Sequence, residues 1–87
     1  MLHARKDYDR IQDLANLIPA DEPVFLIRCK DKVAPTVVLM WALLAEQAGA
    51  GDDIVASARR HAQRMMDWQD ANAGKVKIPD MPKGQGR

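Results

Sequence analysis

Two apolar segments, about 35–48 and 52–72, stand either side of Gly49-Ala50-Gly51, and this pairing constrains the fold more than any other feature of the chain. In the first, Val37, Val38, Leu39, Met40, Trp41, Leu43 and Leu44 spread nearly all the way round a helical projection; only Glu46 and Gln47 interrupt them. Pro35 suits a first helical turn, where the backbone N–H lacks a helical partner in any case. Asp31 or Ala34 marks the start, and Gly49 suits the end. In the second segment Ile54, Ala58, His61, Met65 and Trp68 step by four, three, four and three residues, the spacing of one helical stripe. Val55, Ala62 and Met66 widen it, and Arg59, Arg60, Gln63, Arg64, Asp67 and Asp70 take the other side. Asp52 and Asp53 suit the electropositive end of a helix, and Ala73-Gly74 closes it. A connection this short makes the helices antiparallel neighbours. The expected fold is therefore mainly α, built on a helical hairpin.

A helix that is apolar all round is expected to be buried all round. One neighbour covers one side only, so helix 35–48 needs further cover. The chain has 87 residues, and a domain of that size buries only about 60% of the surface its unfolded form exposes. Its single cysteine, Cys29, closes no internal disulfide, and Cys29 with His3 and His61 is too small a set for a closed zinc site. Either Phe25, Ile27, Tyr8 and Ile11 supply the cover within one chain, or a second copy does. The second is preferred here: a homodimer of closed twofold symmetry, its two hairpins forming a four-helix arrangement. The candidate interface is Val37, Met40, Trp41, Leu44 and Trp68. Trp41 and Trp68 are expected to point inward, one from each helix, with one edge exposed.

Before the hairpin, residues 1–22 form a polar arm, read either as a short helix near 7–17 or as an irregular tether; Ile18-Pro19 ends any helix there. Residues 23–29, Pro23 to Cys29, read as one short strand or extended segment. A strand needs a partner for its backbone groups. The candidates are the arm, Val76-Lys77-Ile78, or the same strand of another copy. From Gly74 on, Lys75, Lys77, Lys83 and Arg87 outnumber Asp80. The expected organisation is one domain over 1–74 and a flexible basic tail over 75–87.

The charge balance, 13 Lys and Arg against 12 Asp and Glu, argues against a nucleic-acid or membrane partner. The longest apolar run, Val37 to Ala45, is about half of the ~20 residues of a membrane span. No apolar run follows Arg5 and Lys6, and a lone cysteine fits a reducing compartment, so a cytoplasmic protein is expected. Residues 44–58 partly fit a helix-turn-helix, with Ala45 at its small-residue position and Gly49 at its turn. Asp52 and Asp53 would then meet the DNA phosphates and repel them. Arg59, Arg60 and Arg64 are the candidate anion or nucleic-acid contacts. The plainer expectation is a solvated face on which Arg64 pairs with Asp67. His61 interrupts the apolar stripe as a pH-sensitive group or a ligand would. The preferred reading packs it in the core or interface, since no second ligand stands three or four residues away. Arg28 and Lys30 flank Cys29 and could lower its thiol pKa, yet no base lies near in sequence, and an inert thiol is preferred. The carboxylates are scattered. No catalytic, cofactor-binding or metal-ligating constellation stands out, and a non-enzymatic interaction or accessory module is expected.

The blocks Asp7-Tyr8-Asp9-Arg10-Ile11-Gln12-Asp13, Ile18-Pro19-Ala20-Asp21-Glu22-Pro23-Val24-Phe25-Leu26-Ile27-Arg28 and Asp31-Lys32-Val33-Ala34-Pro35 resemble small uncharacterised bacterial and phage-type proteins. The resemblance extends to Trp41-Ala42 and the helix from Arg60 to Trp68. It implies no activity, only an accessory role in a phage or mobile element.

Overall fold

The elements in chain order are β1 (Leu2–His3), β2 (Pro23–Val24), α1 (Ala34–Gln47) and α2 (Asp52–Ala71), with a 3-10 turn over Ala73–Lys75. This computed structural model describes residues 2–3 and 13–80. The chain divides into two units, Met1–Ile27 with Asp80–Arg87, and Arg28–Pro79.

In the first unit β1 and β2 pair in parallel, Leu2 opposite Pro23 and His3 opposite Val24. The Leu2 N–H donates to the Glu22 carbonyl at 2.8 Å. The expected strand over 23–29 is thus only two residues long, and its partner is the N-terminal arm. Residues 25–28 are irregular. Within the described part of the arm, a turn replaces the candidate helix. The Asp13 carboxylate accepts the N–H groups of Leu17 and Ile18 at 3.1 and 2.9 Å, and Asn16 takes a positive φ of 52°. A carboxylate that captures backbone donors in this way competes with the helix for them. Tyr8 and Ile11, two of the alternative covering residues, lie outside the described residues.

In the second unit the expected hairpin is present, each helix within one residue of its expected bounds. α1 starts at Ala34, one of the two expected starts, with Val33 before it and Pro35 in the first turn. At the other end the Gly49 N–H donates to the Glu46 carbonyl and the Ala50 N–H to the Ala45 carbonyl, at 3.0 and 2.9 Å. This is a Schellman closure, whose left-handed residue is Gly49 with φ 94°. α2 opens on Asp52 and Asp53. It closes one residue before Ala73, where the Asn72 side chain donates to the Trp68 carbonyl at 2.9 Å.

The far end of the hairpin is fastened by polar contacts. Gln69 Nε2 donates to the carbonyls of Cys29 and Asp31 at 2.9 and 3.0 Å. Lys77 exchanges backbone hydrogen bonds with Lys30 and Lys32 at 2.9 and 2.8 Å. Val76-Lys77-Ile78 therefore pairs just beyond the expected strand, at Asp31. With the connection at one end and Gln69 beside Asp31 at the other, the two helices are antiparallel.

The line of closest packing runs through Ala34, Pro35 and Ala42 on α1, and Val55, Ala62 and Met65 on α2, all buried. The three alanines on this line are fully buried, while no side chain larger than alanine is, among the described residues. Small side chains let two helix backbones approach closely. Bulky ones are then displaced to the flanks. This corrects two expectations. The packed stripe of α2 is not centred on Ile54, His61 and Trp68, which are exposed. Nor is α1 buried all round: Val37, Leu39, Met40, Trp41, Leu43 and Leu44 are each between 39% and 56% exposed, and Val38 is half-buried.

Candidate self-association face

Helix geometry assembles the exposed residues into a surface. At about 100° per residue, Val37, Met40, Trp41 and Leu44 form one stripe on α1. Ile54, His61 and Trp68, spaced by seven, form a row about two turns apart on α2. Which sides of the hairpin these occupy follows from one contact. Arg59 Nη2 lies 3.3 Å from Glu46 Oε2, so the Arg59 flank of α2 and the Glu46 flank of α1 share one face. In an antiparallel pair the opposite flanks share the other face. Those flanks carry Val37, Trp41 and Leu44 on α1 and Ile54, His61 and Trp68 on α2, with Met40 at the rim.

The apolar members of this face are open to solvent: Val37 is 39% exposed, Met40 51%, Trp41 51%, Leu44 56%, Ile54 51% and Trp68 37%. Trp41 is thus half exposed, whereas Trp68 is more covered than exposed. All five candidate interface residues lie on or at the rim of this face. Ile54 and His61 belong to it as well, although the sequence reading placed them in the packed stripe. The signal that would have found them is the alanine line Ala58 and Ala62, which marks where α1 lies. Phe25, one of the alternative covering residues, is 69% exposed.

The other face is mixed: the Glu46 flank of α1 also carries Leu39, seven residues earlier, with Leu43 nearby, both exposed. The Glu46–Arg59 pair is half exposed on both sides, which limits its contribution to about 0–1 kcal/mol. Gln63 lies on the same side of α2 and donates to Asp67 Oδ1 at 3.0 Å. Asp67 is thus engaged by Gln63, four residues before it, and not by the expected Arg64. Arg60 and Arg64 are exposed on the outward side of α2, whose flanks also carry Asp53 and Asp67. The three candidate anion contacts do not converge: Arg59 lies on the Glu46 side, away from Arg64.

Cys29 is partly buried, and its Sγ donates to the Met65 carbonyl at 3.3 Å. Desolvation raises its thiol pKa, opposite to the lowering that Arg28 and Lys30 would cause alone. Among the described residues no group of three or more His, Cys, Asp or Glu side chains could hold a metal ion. No helix among them is long and apolar enough to cross a membrane. The chain matches no protein-family model, no curated protein and no solved structure.

Proposed function

We propose that this protein is a non-enzymatic accessory module that self-associates through its helical hairpin, two copies packing as a four-helix arrangement. One observation carries this reading: both helices contribute to a single apolar face that is exposed in the isolated chain. By the sizes of its side chains the face offers on the order of 600 Å² per copy, close to the roughly 800 Å² that each partner contributes to a standard stable interface.

A second copy fits better than an unrelated protein for two reasons. The buried apolar residues of the described chain are three alanines, one proline, one valine and one methionine, a core that gains most from burial available whenever the chain itself is present. With a formal net charge of +1, two copies repel each other little. An isologous contact would set the tryptophan-bearing face against itself.

Size exclusion with light scattering tests the reading. The expected mass is twice the 9.7 kDa of one chain. A single species of 9.7 kDa at high protein concentration overturns it. The basic alternative through Arg59, Arg60 and Arg64 draws less support, because Arg59 is paired and carboxylates border the other two. Its signature would be binding to DNA or RNA that weakens steeply with salt.

A further inference from the structure

We propose that His61 makes this self-association pH-dependent, the copies pairing when its imidazole is neutral and separating when it is protonated. The inference rests on the dimer reading above. His61 is exposed in the single chain, midway between Ile54 and Trp68 on their row. Counting the helical rise from the connection, its level on α1 falls between Trp41 and Val37. A partner that covers both tryptophans and Ile54 therefore covers His61 too.

The surroundings decide the sign. From α1, the residues that share its face are Val37, Trp41 and Leu44, none of them charged. From its own helix the nearest charged neighbours are Arg60 and Arg64, both cations. The carboxylates of α2, at Asp52, Asp53, Asp67 and Asp70, lie on its outward side or toward the Arg59 flank. The covering copy presents the same set by symmetry, its own His61 included. No carboxylate on the face offsets an imidazolium there. Burying a cation without a partner is strongly unfavourable, whereas a neutral imidazole is tolerated with one hydrogen bond or a bridging water. Histidine side chains change charge between about pH 5 and 8, so association weakens as pH falls through that range.

Sedimentation velocity on the full chain at pH 7.5 and 5.5, at constant ionic strength, tests this for the wild type and His61→Gln, with circular dichroism on each sample. The wild type is expected to associate at least tenfold more weakly at pH 5.5 while keeping its helix content. His61→Gln is expected to associate similarly at both values. Equal wild-type association at both pH values overturns the switch and leaves the dimer standing. The same pH dependence in His61→Gln, or a parallel loss of helix, also overturns it. A wild type that is monomeric throughout overturns the dimer reading and the switch with it.

Discussion

The two helices of the hairpin bury comparable lines of residues against each other, yet they present opposite surfaces to solvent. The outward side of α2 is Asp53, Arg60, Arg64 and Asp67, which water solvates well. The exposed surface of α1 carries Val37, Leu39, Met40, Leu43 and Leu44, which water does not. The difference teaches that a short connection and a good packing line complete α2 but not α1. A helix with apolar residues on all sides is satisfied only when it has neighbours on more than one side. Under the proposed self-association the largest experimental effects therefore belong on α1.

In the proposed dimer Trp41 is an interface anchor, so replacing it by Glu should weaken association by a factor of about 100 or more, since the aromatic contact is lost and an unpaired charge gained. Arg60→Glu, on the outward side of α2, should change it little. Both are read from the sedimentation-derived dissociation constant, and equal effects would erase the contrast between the helices.

A smaller effect is expected where the helices meet. Ala62 is fully buried, and Ala62→Leu should cost about 1–3 kcal/mol by overpacking, measured by urea denaturation. A neutral outcome would mean that the helices are not closely apposed along the alanine line.

The end of the hairpin opposite the connection offers a finer test. Gln69→Ala removes the side-chain amide that caps the carbonyls of Cys29 and Asp31, at an expected cost of about 1–2 kcal/mol. Hydrogen exchange should locate the loosening around residues 29–33 and 76–78, leaving the middle of α2 protected. The smallest effect falls on the Glu46–Arg59 face. Glu46→Gln should shift stability by less than about 1 kcal/mol, because its ion pair with Arg59 is half exposed, and thermal denaturation at low and high salt would show it.

Much of this arrangement is legible in the residues. Gly49 announces the end of α1 because its positive φ suits a residue without a side chain. Four of the five candidate interface residues, Val37, Met40, Trp41 and Leu44, emerge from the excess of apolar side chains on 35–48, and Trp68 from the stripe on 52–72. The rotation of α2 is less legible. Ile54, His61 and Trp68 make as regular a stripe as Val55, Ala62 and Met65, and periodicity does not say which of two adjacent stripes is packed. Gln69 is similarly silent in the sequence, since a glutamine amide acquires its role only when two carbonyls some forty residues earlier are brought to it.

The sequence by itself therefore determined the two helices, their antiparallel course and the apolar surplus on the first of them. These are local properties, set by helical period, terminal residues and the length of the connection. Only the tertiary structure decided which flank of α2 meets α1, that Trp41 is half exposed and Trp68 less so, and that His61 shares their face. Those outcomes depend on which side chains of the two helices pack together, and the fully buried Ala34, Ala42 and Ala62 lie on that line.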